Sequence, residues 1–89
     1  MKAQMYNYST WIEETDPNKL KTGFEDLLTY SGFGILGITD WHFTPQGYTC
    51  LFLLSESHLA IHTFPEHNQT YLELSSCVKE QFDRFVKLV

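Results

Sequence analysis

The middle of the chain constrains the fold most. Tyr48–Leu54 is a strongly apolar run, Ser55-Glu56-Ser57 interrupts it with three polar groups, and His58–Phe64 resumes it. Pro65-Glu66-His67-Asn68 then turns the chain. Short apolar runs bounded by turn residues read as β-strands. Alternation sets Tyr48, Cys50, Phe52 and Leu54 on one face of the first strand and Leu51 and Leu53 on the other. His58, Ala60, His62 and Phe64 share one face of the second, and Leu59 and Ile61 share the opposite one. Both faces of the first strand are therefore apolar. One layer of helices covers only one face of a sheet, so a partner subunit is expected on the other.

The flanking segments supply the remaining elements. Met5–Glu13, with Tyr6, Tyr8, Trp11 and Ile12, reads as a strand. Asp16-Pro17 is a helix start: Asp caps orphan amides and Pro suits the first helical position. Leu20, Phe24, Leu27 and Leu28 recur at helical spacing, and Ser31-Gly32 closes the helix. Ile35–Phe43 is the next strand, weakened at Gly34 and Gly37, where a bend is expected. Pro45-Gln46-Gly47 is a turn and Thr70–Ser76 another strand. Cys77–Val89 reads as an amphipathic helix with Val78, Phe82, Phe85, Val86 and Val89 on one face. The order β-α-β-β-β-β-α predicts an α/β fold: a two-layer sandwich with a largely antiparallel sheet and both helices on one face.

At 89 residues and 10.4 kDa the chain is read as one domain, residues 1–89, with one core. Domains this small are often marginal alone, which favours self-association. Eleven acids against six bases give a formal net charge of −5, which disfavours a nucleic-acid partner. No apolar run approaches the roughly 18 residues of a membrane span. Met1-Lys2-Ala3-Gln4-Met5 leads into polar sequence without a signal-peptide core, so a cytoplasmic location is expected. Cys50 and Cys77 form no CxxC pair, and each by itself reads as a small buried hydrophobe.

Chemistry concentrates in Ser55–Glu66. His58 and His62 are four apart, but on a strand that is about 13 Å, too far for one ion, so no metal site is expected. A hydrolase is disfavoured because the sequence has no GxSxG elbow. The simplest reading has Ser55, Ser57 and Thr63 satisfying backbone groups at a strand break. A second is possible. A serine hydroxyl beside its own preceding carbonyl can attack it if the peptide is strained. The resulting ester can undergo β-elimination, and hydrolysis of the dehydroalanine leaves a pyruvoyl group, a built-in electron sink.

Ser55-Glu56-Ser57-His58, Ile61-His62-Thr63 and Pro65-Glu66, with His42-Phe43-Thr44-Pro45-Gln46-Gly47 upstream, resemble the self-processing region of prokaryotic S-adenosylmethionine decarboxylase proenzymes. Cys77, twenty residues after Ser57, and the early Asp16-Pro17…Leu20 pattern also fit, so the resemblance runs from about residue 6 to 78. It implies cleavage between Glu56 and Ser57, giving fragments 1–56 and 57–89, with Ser57 becoming a covalent pyruvoyl cofactor that forms a Schiff base with the substrate. It implies His62 as the base in β-elimination and Thr49 at the position of the family's processing serine. Cys77 is similar to the proton donor after CO2 leaves. Phe43 is similar to the aromatic that stacks on adenine, Glu66 to the carboxylate that holds the ribose hydroxyls, and Phe64 to an aromatic lining the site. The implied substrate is S-adenosyl-L-methionine, the product serves spermidine synthesis, and the implied assembly is a homodimer or larger homo-oligomer with sites at subunit contacts. A stacking aromatic, a carboxylate and an acidic chain all suit a sulfonium-bearing nucleoside.

The sequence departs from the family pattern in places. Ser76-Cys77-Val78 stands where members often have Thr-Cys-Gly, and the chain ends soon after Val86 where members usually continue through a final strand. Two alternatives stay open: a pyruvoyl-dependent decarboxylase of arginine or ornithine, and an unprocessed, non-catalytic homologue that binds a nucleoside or a partner.

Overall fold

The computed structural model describes residues 2–89. Along the chain run β1 (Tyr6–Ile12), α1 (Pro17–Ser31), β2 (Ile35–His42), β3 (Tyr48–Leu54) and β4 (Ser57–Phe64). A 3-10 turn at Pro65–His67, β5 (Gln69–Ser76) and α2 (Lys79–Leu88) complete it. The five strands form one sheet in the order β1-β5-β4-β3-β2. Every pairing is antiparallel. The strand β1 lies on one edge and β2 on the other, so α1 carries the chain across the sheet.

Local signals explain the elements. The Asp16 carboxylate accepts the Lys19 amide at 2.9 Å, with Pro17 in the first turn. Gly32 ends α1 at φ 102°, a left-handed conformation that glycine adopts without a Cβ clash, and its amide reaches the Leu28 and Thr29 carbonyls. The register of β2 against β3 shifts between Ile35 and Gly37, the irregularity expected of a glycine inside a strand.

Leu20, Phe24 and Leu28 of α1 and Phe85 of α2 pack on Cys50, Phe52, Leu59, Ile61, Leu72 and Leu74 of the sheet. This is the two-layer sandwich predicted from the sequence, with one face of the sheet covered. Leu51 and Leu53 on the opposite face are 45% and 59% exposed, whereas Phe52 between them is fully buried.

Some boundaries differ. Ser57 is not part of a break: it is the first residue of β4, paired with Leu54 and Ser76, so the hairpin turn is only Ser55-Glu56. The last helix starts at Lys79 rather than Cys77, because Ser76 still belongs to the sheet and Val78 is an extended cap. Of its predicted apolar face, Phe85 is buried, Phe82, Val86 and Val78 are partly buried, and Val89 is exposed past the helix end.

Candidate active site

One end of the sheet carries the β3–β4 hairpin. Glu56, the second turn residue, adopts φ 57°, left-handed backbone that costs a non-glycine residue about 1–2 kcal/mol. The strain lies on the acyl side of the Glu56–Ser57 peptide. Ser57 is 6% exposed and points to the helix side of the sheet, where its hydroxyl donates to Ser76 Oγ at 2.7 Å. The next residue along, Cys77, reaches back to the turn and donates from Sγ to Glu56 Oε2 at 3.4 Å. Desolvation, followed by the Glu56 carboxylate, pushes the Cys77 thiol above its ordinary range. Both effects keep it protonated, the state a proton donor needs. Cys50, by contrast, is a fully buried core thiol, and burial raises its pKa.

The opposite end holds a different set. Gly47 takes φ 110° and lets the β2–β3 turn fold back, so that its carbonyl accepts the Phe43 amide at 2.8 Å. Gln46 in this turn donates from Nε2 to Glu66 Oε2 at 3.0 Å. Phe43 and Glu66 are thus brought to one end of the sheet by two different turns, both exposed. Thr49 and His62 are register partners on the open face, hydrogen-bonded through Oγ1 and Nδ1 at 3.0 Å. The His62 ring lies nearly parallel to Tyr71, with centroids 6.5 Å apart. Trp11 packs on Tyr71 and on Phe64 at 5.2 and 5.7 Å. The register sets Trp11, Tyr71, His62, Thr49 and Trp41 in one row across the open face.

The two ends do not meet within a chain. Ser57 and His62 are five positions apart on β4, about 17 Å along a strand. An odd spacing also puts them on opposite faces. Thr49, Phe43 and Glu66 stand with His62 or beyond it, and Glu56 and Cys77 stand with Ser57. Reading the sequence alone leaves Ser76 and Gln46 without a role. The signal for Ser76 is the hairpin register: a connection running from Phe64 to Gln69 puts Ser57 opposite Ser76. Among the described residues no cluster of three or more metal-type side chains occurs.

Comparison with known proteins decides the family. The S-adenosylmethionine decarboxylase family profile matches residues 5–89. The chain belongs to this family. A segment of 48 residues is 48% identical to S-adenosylmethionine decarboxylase proenzyme 2 of Bacillus cereus, covering 54% of this chain and 39% of that protein. The S-adenosylmethionine decarboxylase proenzyme of Geobacillus kaustophilus is 37% identical over 62 residues, 70% of this chain and 50% of that one. The proenzyme of Brevibacillus brevis is 40% identical over 62 residues, again 70% of this chain and 47% of that one. The chain thus spans half or less of the length of these relatives. The crystal structure of the adenosylmethionine decarboxylase from Aquifex aeolicus superposes with a TM-score of 0.74 at 20% identity, covering 98% of this chain and 81% of that one. At that identity the likeness speaks to the fold: the S-adenosylmethionine decarboxylase sandwich is present across nearly the whole chain.

Proposed function

We propose that this chain is a self-cleaving, pyruvoyl-dependent S-adenosylmethionine decarboxylase whose site is completed by a second copy. The observation that carries the proposal is the left-handed Glu56 directly before a buried, hydrogen-bonded Ser57, in a chain of this family. Backbone strain beside the scissile peptide and a fixed hydroxyl both favour an N→O acyl shift. The Ser57 Oγ forms a bond to the Glu56 carbonyl carbon, the C–N bond breaks, and the hydroxyl proton ends on the freed amine. A base then takes the Ser57 α-proton, the Cβ–Oγ bond breaks to release the new C-terminal α-carboxylate of residue 56, and hydrolysis of the dehydroalanine releases ammonia. The fragments are residues 1–56 and 57–89.

The pyruvoyl group so formed supplies a carbonyl that takes the substrate amine and accepts electrons as CO2 departs. The residues around it do the rest. Cys77, held as a thiol, returns a proton to the substrate α-carbon. The exposed Phe43 ring offers a stacking surface for adenine, and Glu66, oriented by Gln46, accepts hydrogen bonds from ribose hydroxyls. His62, held by Thr49, serves as the base of the elimination, with Phe64 lining the same region. The decarboxylated product is the aminopropyl donor for spermidine.

The separation of the two ends supports a homodimer. Stacking two open faces about a two-fold axis that lies between the sheets, at right angles to the strands, sets the hairpin end of one copy over the Phe43–Glu66 end of the other. Exposed Trp11, Trp41, Leu51, Leu53 and Phe64, and a hollow of about 470 Å³ bordered by Leu51, Leu53 and His58, give that face an apolar character. The test of self-cleavage is the intact mass under denaturing conditions. The expected result is two fragments split at Glu56/Ser57, the second lacking an amino terminus and carrying a pyruvoyl mass. Ser57→Ala is expected to stay one uncut chain with no CO2 release; decarboxylation by that variant would refute the proposal.

A further inference from the structure

Ser76 is fully buried at the end of β5, and its hydroxyl oxygen is the meeting point of two hydrogen bonds. The Val78 amide donates to it at 3.0 Å, and the Ser57 hydroxyl donates to it at 2.7 Å. The first bond fixes the oxygen, because Val78 is the cap of α2 and its amide direction is set by the helix that follows. The second fixes Ser57, because Ser57 and Ser76 are directly paired in the β4–β5 register. A free serine samples three χ1 wells, only some of which aim Oγ at the preceding carbonyl carbon. An acceptor held by backbone geometry selects one well. It also engages the Oγ–H bond itself, leaving the oxygen lone pairs uncommitted to that partner.

We infer that Ser76 is the positioning residue for self-cleavage, its anchored hydroxyl accepting the Ser57 O–H and holding Oγ for attack on the carbonyl of the left-handed Glu56. The inference rests on the self-cleavage reading and adds a residue to it. No proton is lost in the step: the Ser57 hydrogen moves from Oγ to the departing amide nitrogen as the Oγ–C bond forms and the C–N bond breaks. Ser76 holds that hydrogen at the outset and is unchanged at the end. The arrangement also links processing to the helical layer, since the same oxygen accepts the Val78 amide just before α2 and orients the nucleophile.

The experiment follows the appearance of the 57–89 fragment by denaturing mass spectrometry in the wild-type chain, Ser76→Ala, Ser76→Val, Ser76→Thr and Thr70→Val. Thermal unfolding is recorded for each full-length chain in a Ser57→Ala background. Thr70→Val is the stability control: Thr70 is equally buried on the same strand and donates to the Glu14 carbonyl, at the other end of the sheet. Ser76→Ala and Ser76→Val are expected to slow cleavage about 100-fold, the loss typical of a misplaced reacting group. Ser76→Thr, which keeps the hydroxyl, is expected to cleave within a few-fold of wild type. Thr70→Val is expected to lose comparable thermal stability and still cleave at the wild-type rate. Wild-type cleavage matched by Ser76→Val would overturn the role of Ser76 alone. So would slowing by Thr70→Val in proportion to its loss of stability. A wild-type chain that never cleaves would overturn the self-cleavage reading, and this inference with it.

Discussion

The two ends of the sheet are built on different principles. At the hairpin end, Ser57 and Ser76 are buried and hydrogen-bonded, and Glu56 is held in a left-handed conformation. At the opposite end, Phe43 and Glu66 are exposed on turns, with one hydrogen bond from Gln46 steering the carboxylate. The first end combines a left-handed residue with a fixed hydroxyl, the features that the proposed self-cleavage uses. The second presents a ring and a carboxylate, as reversible recognition of a ligand requires. A rigid antiparallel sheet keeps them apart, about 23 Å along β4 from Ser57 to Phe64. Proximity supplies much of the rate of such reactions. In the proposed dimer a second copy brings recognition and chemistry together.

The comparison can be sharpened on the two faces of β3. Phe52→Ala removes a fully buried ring and is expected to destabilise the chain by about 3–5 kcal/mol, read from urea unfolding. Leu53→Asp, one residue along on the open face, is expected to change the stability of an isolated chain by only about 0.5 kcal/mol. It should abolish self-association in sedimentation equilibrium, and with it CO2 release. A Leu53→Asp chain that still associates would show that the open face is not the contact.

A smaller effect separates Cys77 from Glu56. Desolvation and the neighbouring carboxylate both raise the thiol's pKa, so below that raised value it stays protonated and unreactive. Removing the charge by Glu56→Gln takes away one of the two causes and lowers the pKa. In a Ser57→Ala background, where the chain stays whole, alkylation of Cys77 by iodoacetamide at pH 8 should speed up by on the order of threefold. An unchanged or slower rate would show that Glu56 does not hold the thiol.

Much of the architecture is legible in the residues because the signals are local. Asp16-Pro17 and Gly32 bracket α1, and the alternation through Tyr48–Leu54 assigns each side chain of β3 to its face. The polar triplet Ser55-Glu56-Ser57 is harder to divide. Polarity marks a turn, but only pairing with Leu54 and Ser76 moves Ser57 into the ladder. The start of α2 is displaced for a different reason: Cys77 is a bend and Val78 an extended cap between the strand and the helix, which hydropathy does not mark. At the proposed site, the family resemblance points to Ser57, His62, Cys77 and Glu66. Their division between two ends and two faces is a property of register, and no single residue announces it. Ser76 escapes notice because a small polar residue at a strand end has many ordinary uses. Its distinction lies in what stands across from it.

The shared site is tested most directly by complementation. His62→Ala and Ser57→Ala chains, each expected to form no pyruvoyl-bearing fragment alone, are co-expressed and the mixed dimers isolated by differing tags. In a mixed dimer, the hairpin end of the first chain, with its intact Ser57, lies over the end of the second that carries the intact His62, while the other site carries both defects. Cleavage of the His62→Ala chain is expected to appear, with CO2 release at roughly one half of the wild-type level per isolated mixed dimer, since one of its two sites is intact. A His62→Ala chain that stays uncut in isolated mixed dimers would contradict a site built from opposite ends of two copies.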